Sequence, residues 1–197
     1  PLDGDWGRGL GKMYGDLCAH AVTFNRGKRS IALDLKTEDG RKVAQKLASD
    51  ADIVVESFRP GVMSRFGLDY DQVKAMRDDV IYLSVTGFGQ QGPNRDLPVT
   101  DSVIQAFSGL MSINRDGEGT PQRIGMIAID VMTGLYAYQA ISSALIARMR
   151  YGEGAYIDCS LMQSAAAFQS AKVMEYFMED GAPQVLYVPV GTMKTAD

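Results

Sequence analysis

Apolar residues fall along this chain in short blocks whose spacing alternates between strand-like and helical. Residues 30–35 (SIALDL) predict a short strand. Thr37, followed by Glu38 and Asp39, opens a helix in which Val43, Leu47 and Ala51 recur at helical spacing. Residues 52–56 (DIVVE) predict a compact buried strand, and residues 60–66 a short helical turn with Pro60 at a start position. A second helix runs through Met76, and residues 80–88 (VIYLSVTGF) form a third β-rich block. Strands alternating with helices imply a parallel sheet with crossover helices. Three glycines and a proline then crowd residues 87–93, which requires a loop. Further along, the pattern predicts a helix over 101–111, a turn-rich loop over 115–121 and a strand over 155–159. A last helix is predicted over 161–178. The longest helix, 130–148, is apolar or small nearly all round and is predicted to be buried, with 151–154 as its stop. Residues 1–23 read as loop with a short helix.

A chain of 197 residues, 46% hydrophobic and 22% charged, fits one large globular domain, or one and a half small ones, with a substantial core. Its net charge of −4 argues against a nucleic-acid binder. The basic residues are uneven, however: Arg26, Lys28, Arg29 and Lys36 cluster early, with Arg59 and Arg65 after them. Such a patch suits a polyanionic small molecule, and a solvated face is the plain alternative for each residue. Cys18 and Cys159 form no disulfide framework and lack metal-ligand spacing, and His20 is the one imidazole. These features point to a cytoplasmic protein without a metal. No apolar run reaches membrane-spanning length. The chain opens without Met and stops abruptly at Asp197, so both ends are expected to be cut.

Asp130 is the one charged residue between 124 and 147. A carboxylate there is a helix cap or a working group. Asp is a preferred N-cap, and a long helix follows. Apolar neighbours raise a carboxyl pKa, whereas a helix N-terminus favours the anion. That balance also suits a nucleophile that must be ionised yet poorly solvated. No GxGxxG, phosphate-binding loop or Gly-x-Ser-x-Gly elbow is present.

Five segments, in order, resemble family III CoA-transferases, which include formyl-CoA transferase, carnitine CoA-transferase and α-methylacyl-CoA racemase. They are residues 25–36 (NRGKRSIALDLK), 52–63 (DIVVESFRPGVM), 87–93 (GFGQQGP), 130–134 (DVMTG) and 151–158 (YGEGAYID). The resemblance implies an open, Rossmann-like parallel sheet with flanking helices, spanning residues 1–190 as a large domain. Residues 191–197 would begin the connection to a small C-terminal domain. It further implies an interlinked homodimer and coenzyme A, carried as an acyl-CoA substrate, with a small carboxylic acid as acceptor. The Asp at the position of Asp130 attacks the acyl-CoA in the family's transferases, through a mixed anhydride and an aspartyl-CoA thioester. The nucleotide part of CoA lies against segments matching Leu33, Lys36, Ser57, Phe58, Arg65 and Phe66. Lys36 and Arg65 would neutralise phosphates. Phe58 and Phe66 would offer apolar surface, with ordinary core packing the equal alternative.

One departure separates the family's reaction types. Its racemases carry a His immediately before the Asp that aligns with Asp101, and here that position is Thr100. Thr cannot shuttle a proton near neutral pH. Transfer is therefore favoured over racemisation, with a non-catalytic CoA-binding or dimerisation fragment as a third reading. Asp101 itself is expected to cap the helix that follows it, with a role as the second acid/base as the alternative. Ser57 also stands where many relatives carry Asn.

Overall fold

The computed structural model of the chain describes residues 4–181. The expected connection at 191–197 lies outside them. In chain order, a 3₁₀ turn (Trp6–Gly9) leads into a small antiparallel pair, β1 (Met13–Tyr14) and β2 (Leu17–Cys18), and helix α1 (Ala19–Asn25). Then come α2 (Glu38–Asp50), β3 (Ile53–Glu56), a 3₁₀ turn (Met63–Phe66), α3 (Tyr70–Met76) and β4 (Ile81–Thr86). The second half holds α4 (Asp101–Phe107), α5 (Leu110–Ile113), α6 (Ala128–Tyr151), β5 (Ala155–Ser160), α7 (Leu161–Phe168) and α8 (Ser170–Met178).

The expected parallel α/β sheet is present, with three strands in the order β3-β4-β5. Its central strand shows why helices must cover both faces. Ile81, Tyr82, Leu83 and Ser84 are all buried, so β4 has no solvent face. On one face Tyr82 packs with Ala48 of α2, with Leu68 just ahead of α3 and with Val73 of α3. On the other, Leu83 packs with Ala137 of α6 and Cys159 of β5.

Helix α6 runs antiparallel to these strands. Near its C-terminus the Arg148 guanidinium donates to the backbone carbonyls of Asp52 (3.1 Å) and Asp79 (3.2 Å), just ahead of β3 and β4. Arg77 reinforces this end by pairing with Asp52 (2.6 Å) and Asp79 (2.8 Å). The start of α6 must then lie beyond the carboxyl ends of the strands, where open α/β sheets bind their ligands.

Four expectations need correction. Residues 30–35 form no strand: they are irregular and unpaired, entering a turn at Leu35, with Ile31 exposed. An apolar run becomes a strand only beside a hydrogen-bonding neighbour, and none pairs with it among the described residues. The helix over 101–111 is two helices, because Gly109 takes a left-handed conformation (φ 83°) between α4 and α5. The helix over 161–178 is likewise split at Gln169, where the backbone leaves helical values. Finally, α6 begins at Ala128 rather than Asp130 and is not buried all round. Leu135, Tyr138 and Met149 stand exposed on one face because that face packs against nothing among the described residues.

Thr37 caps α2 as its sequence predicts, accepting from the Gly40 N–H at 3.1 Å. Gly40 allows a close approach: a Cβ there would fall 2.0 Å from the Asp34 carbonyl oxygen. Gly40→Ala should therefore force the 34–36 turn off α2. A loss of about 1–3 kcal/mol is expected from overpacking of this kind, measured by urea denaturation against the parent protein.

Candidate functional site

The start of α6 is assembled by residues far away in sequence. Ile127 precedes the helix and makes no side-chain cap. The caps come from α4, where the Asp101 carboxylate accepts from the N–H groups of Ile129 (2.7 Å) and Asp130 (3.1 Å). Asp101 is 5% exposed and Gln105, one turn later, is fully buried. The Gln105 side-chain amide donates to Asp101 (2.5 Å) and to the Met126 carbonyl (3.2 Å), while its oxygen accepts from the Ile124 N–H (2.8 Å). Below this polar knot Ile129 packs with Ile104, Leu110 and Ala165. The loop entering α6 and its first turn are thus fixed by one buried Asp–Gln pair over an apolar floor.

Asp130 projects from that first turn. It is not the helix cap, so the capping reading of this residue fails. Nor is it sealed from water: the residue keeps an exposed side, because α4 and the apolar floor back only the inner side of the turn. Its carboxyl is nevertheless pushed above the ordinary carboxylate value. Partial burial is the larger cause and the charge of Asp101 the second, while His20 pulls the other way. His20 lies on α1, its ring 4.8 Å from that of Phe24. The structure therefore brings the chain's one imidazole into electrostatic range of Asp130, although 110 residues separate them in sequence.

A second group of expected site residues gathers around α2. The Arg41 guanidinium donates to the carbonyls of Lys36 (2.8 Å) and Leu35 (3.3 Å), holding the turn that carries Leu33 and Lys36. Roughly 6 Å along the helix axis, Gln45 donates to the carbonyls of Phe66 (3.3 Å) and Gly67 (3.4 Å). One helix thus fixes both backbone segments that carry the candidate phosphate ligands. The side chains of Lys36 and Arg65 are exposed and enter no ion pair among the described residues. Arg77 and Arg148, by contrast, are committed to structural pairs.

The two phenylalanines part ways. Phe66 packs against the Leu68–Val73–Tyr82 cluster, so core packing accounts for it. Phe58 is 49% exposed next to exposed Ser57. Its N–H donates to the buried Glu56 carboxylate (2.8 Å), which anchors this loop to the end of β3.

Sequence reasoning missed the polar end of the sheet. Glu56 accepts from the Ser84 hydroxyl, and the Gln90 side-chain amide donates to the same hydroxyl (2.5 Å). The Gln90 N–H donates to Asp158 (2.9 Å). The Gly-rich loop over 87–93 is therefore tied directly to β4 and β5, and through Ser84 to Glu56 of β3. A cavity of about 360 Å³ opens beside it, lined by Glu56, Arg59, Ser64, Tyr70, Ser84 and Gln90 among others. The available signal was period-two alternation: Glu56, Ser84 and Asp158 occupy equivalent registered positions on neighbouring strands. Asp101 carried a signal too, since Asp101 and Gln105 share a helix face at i, i+4.

The family model described as CoA-transferase family III matches residues 1–197. The chain is 40% identical over 165 residues to succinate–glutarate CoA-transferase of Agrobacterium fabrum, covering 84% of this chain and 41% of that protein. It is 36% identical over 204 residues to human succinyl-CoA:glutarate CoA-transferase, covering 100% of this chain and 47% of that protein. The crystal structure of a CAIB/BAIF family protein from Brucella suis superposes with a TM-score of 0.87 at 37% identity. That match covers 92% of this chain and 50% of the other. The chain thus spans about half the length of the relatives it matches.

The contrast between the two phenylalanines is testable. Phe66→Ala should lower stability by about 2–3 kcal/mol, less than the roughly 3–5 kcal/mol for a fully buried ring because Phe66 is half-buried. Phe58→Ala should leave the denaturation midpoint within experimental scatter. Parallel thermal and urea melts of both variants check the assignment.

Proposed function

This chain belongs to CoA-transferase family III, and we propose that its Asp130 is the carboxylate through which CoA passes from an acyl-CoA thioester to a carboxylic acid. One observation carries the reading. Asp130 is a solvent-reachable carboxylate with a raised pKa, held on a fixed helix turn beyond the carboxyl ends of a parallel sheet. The relatives named for succinyl-CoA and glutarate suggest dicarboxylic acids as donor and acceptor.

The chemistry is four displacements at acyl carbon. An Asp130 oxygen attacks the thioester carbonyl, the C–S bond breaks, and CoA leaves as thiolate, giving a mixed anhydride. The thiolate attacks the Asp130 acyl carbon and expels the donor acid, leaving an aspartyl-CoA thioester. The acceptor carboxylate attacks that thioester, again releasing thiolate and forming a second anhydride. The thiolate then attacks the acceptor's acyl carbon, which frees the Asp130 carboxylate and completes transfer. A raised pKa helps the first step, because a more basic carboxylate is the better nucleophile once ionised.

Lys36 and Arg65 would bind the CoA phosphates, with Leu33, Ser57 and Phe58 beside the nucleotide. Their support is the shared anchorage on α2 and the absence of competing ion pairs among the described residues. Phe66 drops from direct contact to backing the loop. The reading includes an interlinked homodimer, in which a partner would cover the exposed Leu135, Tyr138 and Met149 of α6.

Racemisation of acyl-CoA is a second reading, and His20 favours it. The sequence places no His beside Asp101, but the fold brings His20 within electrostatic range of Asp130. Chiral 2-methylacyl-CoA in deuterated water, without acceptor acid, separates the two: transfer leaves the α-carbon undeuterated, and racemisation exchanges it. Hydroxylamine added during turnover with succinyl-CoA should convert Asp130 to its hydroxamate, seen as a mass shift on its peptide. Asp130→Ala should lose both the adduct and transfer, and turnover above a few per cent of the parent's would sink the assignment. CoA binding without turnover in the parent protein would instead favour a non-catalytic role.

Arg65→Ala and Lys36→Ala should each weaken CoA binding several-fold at low salt. The difference should shrink as ionic strength rises, because exposed charges are screened. Calorimetric titration with CoA at two salt concentrations provides the check, and an unchanged dissociation constant would remove that residue from the site.

A further inference from the structure

Asp101 does more than the cap of a neighbouring helix needs to do. A helix N-terminus normally offers its free N–H groups, and the positive end of its dipole, to any acid in the first turn. That acid is then stabilised as an anion and becomes a weaker base. In α6 the first-turn acid is Asp130, and two of these N–H groups are already taken. Ile129 N–H lies 2.7 Å, and Asp130's own N–H 3.1 Å, from one oxygen of Asp101. The other oxygen is held by Gln105 at 2.5 Å, and both side chains are buried, so the carboxylate has no freedom to turn away.

We propose that Asp101 is the positioning residue of the Asp130 nucleophile: it locks the first turn of α6 and keeps that turn's N–H groups from quenching the Asp130 carboxylate. The inference rests on Asp130 acting as nucleophile, as read above. Two consequences follow from the geometry. The Asp130 side chain leaves a backbone anchored immediately before its Cα, at the Ile129 N–H and at its own N–H, which limits its approach directions. Its anionic form also faces a like charge instead of a row of donors. The groups acting on it from neighbouring elements are Asp101 on α4, which raises its pKa, and His20 on α1, which lowers it.

The test compares Asp101→Asn and Asp101→Glu with the parent in the intact protein. The readout is single-turnover acylation of Asp130 by succinyl-CoA, followed across acidic pH by hydroxylamine trapping. The sign is fixed by the charge. Acylation needs ionised Asp130, and a neighbouring anion raises the pH at which ionisation occurs. Asp101→Asn removes that anion, so the acidic limb should move to lower pH than the parent's. The plateau rate should fall at least about tenfold from lost alignment, with KM for the thioester little changed. Asp101→Glu keeps the charge but lengthens the arm, so the limb should stay in place while the plateau falls.

A purely structural role predicts lower melting temperatures without movement of the limb. A folded Asp101→Asn with the parent's limb and plateau therefore overturns the proposal. If Asp101→Asn does not fold, Asp101→Glu decides: an undiminished plateau overturns the proposal, and a reduced one with an unmoved limb supports it. Asp130→Ala tells the two readings apart. Turnover in that variant overturns both, whereas an inactive Asp130→Ala beside an unaltered Asp101→Asn overturns only the role of Asp101.

Discussion

The buried Asp101 carboxylate, shared between two backbone N–H groups of α6 and the amide of Gln105, is the contact on which the candidate site depends. A carboxylate removed from water is costly unless its oxygens are hydrogen-bonded. Here they are, by donors that would themselves be orphans at a helix start. Each side satisfies the other, and the joint fixes α4 against α6 without a conventional capping residue. The same joint places a second carboxylate, Asp130, next to a charge. The joint that assembles the helix start thus also adds to the raised basicity of Asp130, whose larger cause is partial burial.

The sheet supplies a second constraint, at the opposite end of α6. Arg148 and Arg77 tie the helix C-terminus to the segments that precede β3 and β4. Pinned there, a helix of 24 residues spans the sheet and delivers its N-terminus past the carboxyl ends of the strands. The polar ends of those strands, Glu56, Ser84 and Asp158, hold the Gly-rich loop and the Phe58 loop nearby. Both ends of α6 are therefore set by buried or half-buried charge, while its middle packs through small residues such as Ala137.

The candidate nucleotide segments follow a different logic. They are irregular backbone, and α2 holds them through side chains donating to carbonyls: Arg41 to Lys36, Gln45 to Phe66. This leaves the Lys36 and Arg65 heads uncommitted among the described residues. Cations without a structural partner suit an anionic ligand, and their exposure means that salt competes with it.

How much of this was legible in the sequence differs by element. The parallel sheet, the Thr37 cap and the strands over 52–56, 80–88 and 155–159 follow from local spacing and local hydrogen bonding. They appear within a residue or two of where the pattern puts them. The 30–35 run misled because strand formation needs a neighbour, which hydrophobicity cannot provide. The continuous helices over 101–111 and 161–178 misled because Gly109 and Gln169 break helices that apolar spacing alone would continue. For the site, the sequence isolated Asp130, located the basic cluster and carried the family resemblance. It could not tell that Asp130 lies inside the first turn of its helix rather than at the cap, or that Asp101 serves a helix other than its own. Nor could it bring His20 near Asp130. Those facts depend on contacts across 28 to 110 residues of chain, which only the packing of α1, α4 and α6 around the sheet determines.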